Sequence, residues 1–364
     1  MHRVSRRRFI AGSGAVGVAG LAGCSSGGNG GDGGDGGDGG GGGGDSGGDG
    51  GSEGTTTGSA GDDLTAVRIQ LPEGTIHYPM YEAATDAGVF EAEGIDLTVD
   101  YAPFSAQVQS LTSGEVDVNM VSMIPYMGNY IQGEDLVTFG WDGCLQSINA
   151  LYTRAGSEYE SIGDLEGRRI GVWSWGSSTV QAFQAVVAEE SGLRLRQDFG
   201  TTTAAPPALL GLLQDEEIDG VINVSGLTIT MESDPDTYRR LTQLNAMWRE
   251  RTGYTLPLTS WWSYSDWYEN NTETAAALLR GGQSATEHWR ENTVSILDEY
   301  GETAAIDNQA KVDVVNEWAN DGQIFRDTTT NDYRDATWQF VELMSSYDFL
   351  EEMPSQDDVL RNPQ

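Results

Sequence analysis

Residues 161–183 read SIGDLEGRRIGVWSWGSSTVQAF, and their pattern sets the fold class. A turn leads into the apolar run Ile170 to Trp173, behind Arg168 and Arg169. Ser174, Gly176, Ser177, Ser178 and Thr179 follow as a loop of small, mostly hydroxyl residues. Val180, Phe183, Val186 and Val187 then recur at helical spacing. A strand that passes through such a loop into a helix leaves backbone N–H groups unpaired at the helix start. In an open α/β sheet, ligands bind at that place, beyond the strand's carboxyl end. Two local readings stand: a serine that only caps the helix, or a loop that grips a ligand oxygen.

Alternation of strand and helix extends outward on both sides. LTAVRIQL (64–71), IDLTVDYA from Ile95 and VDVNMV (116–121) read as strands. Helices are expected around Tyr81, over Ser105 to Thr112, and after Ser122, with strand candidates LVTFGWDG and INALYTR on either side of Cys144. Beyond the opening stretch, GLRLRQDFG is a strand candidate, Ala205 to Leu213 a helix, and IDGVINVS a strand. Residues 272–300 and 308–353 read as mainly helical, with core stripes at Trp289, Ile296 and Leu297, at Val312, Val315, Trp318 and Ala319, and at Trp338, Val341, Met344 and Ser345. Repeated β-α-β alternation argues an α/β fold. The foldable portion, about 300 residues, suits one large domain or two lobes.

Charge excludes one class of partner. The chain has 56 acidic residues against 20 basic ones, a net charge of -36, and Lys311 is its only lysine. Nucleic-acid binding needs a basic footprint that this chain lacks. Self-repulsion of such a surface is relieved by salt. The composition resembles that of proteins from salt-loving archaea.

The first residues, MHRVSRRRFIAGSGAVGVAGLAGC, combine Arg6, Arg7 and Arg8 with a short, glycine-rich apolar run. That run is too short for a confident membrane span. SRRRFI resembles a twin-arginine export signal, and Leu21 to Cys24 resembles a lipobox whose cysteine carries lipid. Residues 25 to 62 are mostly glycine and aspartate, cannot build a core, and read as an extended, flexible tether. With Cys24 lipidated, Cys144 is left unpaired, so no disulfide and no thiolate metal cluster are expected.

Four stretches together resemble one family: HYPMYEAATDAGVFEAEGIDL, LTSGEVDVNMVS, SIGDLEGRRIGVWSWGSS and ALLGLLQDEEIDGVINV. Their order is similar to that in solute-binding proteins of ABC importers, in the branch serving sulfonates, taurine, nitrate and pyrimidine thiamine precursors. The resemblance spans residues 64 to 353 and implies a type II periplasmic-binding-protein-like fold, two α/β lobes joined by a two-segment hinge. Residues 64–153 plus 257–353 would form the first lobe and 154–256 the second, with crossings near Ile148 to Arg154 and Tyr254 to Trp262. It further implies a lipid-anchored protein outside the cell that closes on a small solute and docks on a membrane permease, with no cofactor and no reaction.

Candidate ligand residues follow by position. His77 and Tyr78 come after the first strand, in a stretch partly similar to a histidine motif of the thiamine-precursor relatives. Ser122 ends the third strand. The loop Trp173, Ser174, Gly176, Ser177, Ser178 and Thr179 offers hydroxyls and helix N–H groups to a carboxylate, sulfonate, phosphate or carbonyl oxygen. Asn223 and Ser225 follow the next strand. Trp141, Trp261 and Trp262 lie near the crossings, where rings stack on a flat ligand or fill a lobe core. Two other functions are weighed against solute capture. One is a pyrimidine-precursor synthase of the same fold, which the lack of a cysteine-rich segment opposes. The other is a sensor or structural lipoprotein without a transporter.

Overall fold

A computed structural model describes residues 64–141, 148–223, 225–321 and 332–362, with Phe104, Ser105, Val108 and Ser225 described by backbone alone. The stretches expected to be an export signal and a tether, with Cys24, and also Cys144, lie outside the described residues. Five strands build a first sheet: β1 (Thr65–Pro72), β2 (Ile95–Ala102), β3 (Val118–Ser122), β4 (Leu136–Gly140) and β10 (Thr259–Tyr264), in the order β2-β1-β3-β10-β4. A second sheet holds β5 (Ala150–Arg154), β6 (Arg169–Val172), β7 (Gly200–Thr203), β8 (Gly220–Asn223) and β9 (Tyr238–Gln243), in the order β7-β6-β8-β5-β9.

In each sheet one strand opposes the rest. β10 runs antiparallel to β3 and β4, and β5 runs antiparallel to β8 and β9. Each is the strand laid down directly after the chain crosses from the other sheet. The fold is therefore a pair of α/β lobes of the type II periplasmic-binding-protein class, as the sequence implies. β5 already pairs with β8 from Ala150, so the chain has entered the second lobe before Arg154.

Parallel strands need helices as return paths, and these cover both sheets. In the first lobe α1 (His77–Asp86) follows β1, α2 (Phe104–Thr112) follows β2, and α3 (Met123–Ile131) follows β3. In the second, α4 (Ser178–Ser191), α5 (Pro206–Gln214), α6 (Ser225–Glu232) and α7 (Leu244–Thr252) follow β6, β7, β8 and β9. After β10 come α8 (Ser265–Asn270), α9 (Thr272–Tyr300), α10 (Gln309–Asn320), α11 (Tyr333–Ser346) and α12 (Gln356–Val359).

β8, in the middle of its sheet, is buried throughout because both faces are covered, and the outer strand β4 is buried throughout as well. Edge strand β2 alternates instead, with Asp96, Thr98 and Asp100 exposed. Val180, Phe183, Val186 and Val187 of α4 are fully buried, each contributing about 1.5–3 kcal/mol of transfer free energy. Gly171 in β6 allows α5 to approach closely, since a Cβ there would fall 2.7 Å from both Leu209 and Ile218. Prolines at the start of α5 suit its first turn, where the missing N–H has no partner to lose.

One expected strand does not form. GLRLRQDFG is a turn, closed by the Asp198 carboxylate accepting from the Arg194 backbone N–H at 2.6 Å, and the strand β7 begins only at Gly200. Apolar Leu195 and Phe199 are buried there, which mimics strand alternation in the sequence.

The C-terminal helices do not stay on one lobe. α11 starts on β4 and continues against α4 and α7. The chain then returns, and Leu360 makes a parallel bridge to Thr138 while the Arg361 N–H donates to the Thr138 carbonyl at 2.8 Å. The lobes also approach each other closely at the start of α6. A Cβ at Gly226, at the start of α6, would lie 3.7 Å from the Gly74 carbonyl oxygen after β1.

Candidate functional site

Because β1, β3, β6 and β8 are parallel within their sheets, their carboxyl-end loops cluster by lobe. The first lobe contributes the turn before His77 and the β3 terminus at Ser122. The second contributes Trp173 to Ser177 and the start of α6.

Ser177 holds the N-cap position of α4, with φ -71° and ψ 131°, yet its side chain makes no capping bond. Ser174 instead turns inward on its own loop and accepts from the Gly176 N–H at 3.2 Å. Ser178 is the first helical residue, nearly fully buried, and its hydroxyl has no hydrogen-bond partner. The first N–H groups of a helix have no intrahelical acceptor and carry the positive end of the helix dipole. α4 is 14 residues long, enough to express that dipole. Trp173, Ser177 and Thr179 beside it are half-buried, while Ser174 and Gly176 are exposed. Trp175 is covered by a cation, with the Arg196 guanidinium 4.2 Å from its ring centroid.

Ser122 occupies the equivalent place in the first lobe. It caps α3 in extended conformation, again without a side-chain capping bond, and is half-buried. His77 opens α1 rather than lying in a loop, and it is fully buried. The Thr75 hydroxyl donates to the Pro72 carbonyl at 2.9 Å, so its 2.9 Å contact with His77 Nδ1 requires the ring nitrogen to donate. The imidazole proton is thereby fixed on Nδ1. Tyr78 packs on Tyr101 at 4.8 Å between ring centroids, and burial, reinforced by the nearby Glu82 carboxylate, raises its phenol above the usual range.

Asn223 ends β8 fully buried, its Nδ2 3.3 Å from Met231 Sδ. Ser225 begins α6, and its side chain is outside the description. The three tryptophans near the crossings are core residues. Trp261 packs edge-on to Tyr81 at 6.3 Å, Trp262 against Tyr126 at 5.6 Å, and Trp141 against Tyr333 at 5.5 Å. All three rings are enclosed, and none presents an open face for stacking.

One residue escaped the sequence reading. Gln107 on α2 is fully buried beside Ser110 and Leu111. Nothing in the local sequence pattern marks it. Among the described residues no group of three or more His, Cys, Asp or Glu could hold a metal, and no helix is long and apolar enough to cross a membrane.

Two lobes, each presenting a helix N-terminus and hydroxyls at its sheet's carboxyl end, define a binding-protein architecture built to enclose a small molecule. A family model described as NMT1/THI5 like matches residues 75–294. The match spans more than half the chain, and the chain belongs to that family.

Solved structures share the fold. The periplasmic sulfonate-binding protein SsuA from Methylobacillus flagellatus superposes with a TM-score of 0.64 at 18% identity, over 82% of this chain and 92% of that one. The periplasmic aliphatic sulphonate binding protein SsuA from Escherichia coli gives 0.64 at 15% identity, over 82% and 92%. The alkanesulfonate-binding protein SsuA from Xanthomonas axonopodis pv. citri, bound to MOPS, gives 0.61 at 14% identity, over 82% and 98%.

Proposed function

We propose that this chain is an extracytoplasmic, lipid-anchored solute-binding protein that delivers a small organic solute to an ABC importer. The solute class is a sulfonate, a pyrimidine or thiamine precursor, or a related compound. The observation that carries the reading is the buried, unpartnered Ser178 hydroxyl at the start of α4. An unsatisfied donor beside free helix N–H groups is destabilising unless an acceptor arrives to meet it. Ligand binding would supply that acceptor and shift the lobes toward their closed arrangement by differential affinity.

Export by the twin-arginine route and lipid on Cys24 would hold the domain beside its permease through the glycine–aspartate tether. The acidic surface argues against nucleic acid and for a high-salt setting. The family is a class of binding proteins that carry out no reaction. A synthase-like activity would be separated by incubating the protein with its ligand and recovering it for mass spectrometry, since a carrier returns it unchanged.

A thermal-shift screen in high salt against sulfonates, nitrate, pyrimidines, flavins, amino acids and quaternary amines tests the reading. At least one class should raise the melting temperature in a saturable manner. A flat response to every class would refute it.

A further inference from the structure

The first lobe holds a polar group that the serine loop does not account for. Gln107 is fully buried, and among the described residues it is the one side chain with two buried polar atoms, Oε1 and Nε2, that both lack a partner. Its backbone is fixed from several sides. Asn119 Nδ2 donates to the Gln107 carbonyl and lies 2.9 Å from the Tyr126 hydroxyl. The Ser110 hydroxyl lies 2.9 Å from the same carbonyl and 2.5 Å from Gln70 Oε1. Asn119 in turn pairs in register with Gln70 on one side and Trp262 on the other. Helix α2 therefore cannot shift to find the amide new partners without breaking this network. A carboxamide held in place and left unsatisfied is a costly arrangement for a fold to keep.

Direction follows from topology. β1, β2 and β3 are parallel, so α2 runs back from the carboxyl end of β2 toward the start of β3. Helical side chains lean toward the helix N-terminus. The Gln107 amide is thus aimed at the carboxyl ends of the strands, the end at which Ser122 sits.

We propose that Gln107 is the first-lobe anchor for the bound solute and selects one that carries an N–H or O–H donor beside an acceptor. This rests on the reading of the chain as a solute-binding protein. An acceptor-only anion would satisfy Nε2 and leave Oε1 buried without a donor. A lactam edge, as on a pyrimidine, presents N–H and C=O side by side and matches both atoms of the carboxamide. Asn119 Oδ1, also unpartnered, supplies a second acceptor on the same wall. A site that commits buried polar groups to a substrate donor rejects analogues lacking it, because those groups are then stranded.

Calorimetric titration of the full chain tests this with four probes. Orotate and uracil carry the donor–acceptor edge; ethanesulfonate and nitrate carry acceptors alone. Orotate or uracil should bind more tightly than both anions. Gln107→Met keeps the side-chain length and removes both polar atoms. It should melt no lower than the parent and lose tenfold or more in affinity for the bound pyrimidine, about 1.4 kcal/mol.

Three results overturn the proposal: tighter binding of ethanesulfonate or nitrate, unchanged pyrimidine affinity in Gln107→Met, or silence from all four probes. Should Gln107→Met fold poorly, a crystal structure of the parent with the bound pyrimidine decides. Ordered water on both amide atoms sinks the proposal, and ligand atoms there uphold it. Binding that depends on Ser178 but not on Gln107 removes this assignment alone, whereas failure of the wider thermal-shift panel removes the solute-binding reading.

Discussion

The Tyr333 hydroxyl lies 2.8 Å from the Thr138 hydroxyl, tying the first turn of α11 to strand β4 of the first lobe. Farther along the same helix, Phe340 meets the Trp248 ring of α7 edge-on at 5.8 Å, and Tyr347, just past its end, donates to Glu189 of α4 at 3.0 Å. One helix therefore joins both lobes, in addition to the two crossing segments. Phe340→Ala should lower stability by about 3–5 kcal/mol, the range for emptying a buried aromatic site. Calorimetric unfolding measures it, and a loss below about 1 kcal/mol would show that the contact with the second lobe carries little.

Replacing Ser177 and Ser178 together by alanine should weaken solute binding and leave the fold intact. Neither hydroxyl caps α4, so helix stability loses nothing on that account. Removing a buried hydroxyl without a partner is expected to be neutral or mildly stabilising. Equal affinity in parent and variant would remove the serine loop from the site.

Alkaline pH should unfold the chain by releasing its tyrosines. Burial first, then the hydrogen bond to Glu134, pushes Tyr264 from 10.0 up to about 12. Burial raises Tyr101, Tyr152 and Tyr333 as well. A phenol whose folded pKa is raised contributes stability that is complete below its unfolded value near 10 and is lost as pH climbs through the folded value. Tyrosinate absorbance should therefore rise late, together with loss of circular dichroism above pH ~10. A smooth titration centred at the ordinary value, with the fold still intact, would contradict this.

Cys24→Ser should leave the exported protein free of the membrane. Fractionation of cells followed by immunodetection reads the result. A variant that still sediments fully with membranes would refute lipid attachment.

Lowering salt should destabilise the folded lobes, because acidic self-repulsion is screened within a Debye length of about 3 Å at 1 M and about 30 Å at 0.01 M. A melting temperature indifferent to salt would count against the acidic surface as the cause.

The α/β class was readable because apolar runs and the glycine–hydroxyl loops recur with α/β spacing. The strand expected at GLRLRQDFG was not, since buried Leu195 and Phe199 imitate strand alternation while a side chain, Asp198, closes a turn. Short pattern cannot see that bond. The place of Ser178 at the start of α4 was legible from the apolar helix face that follows it. Trp261 and Trp262 were not decidable, because alternation along β10 puts successive residues on opposite faces and both faces are covered. Gln107 escaped because the residue that bonds its backbone, Asn119, comes from another element, β3.

The bridge from Leu360 to Thr138 bears on how copies of the chain meet in crowded solution. β4 is an outer strand of its sheet, and its backbone would otherwise offer open hydrogen-bonding groups to a neighbouring copy. Leu360 and the Arg361 N–H occupy the middle of that margin. At the sheet's other margin, Asp96 and Asp100 of β2 repel an incoming strand by charge. The chain thus guards one margin with Leu360 and Arg361 and the other with carboxylates, which keeps neighbouring copies from zipping into one another.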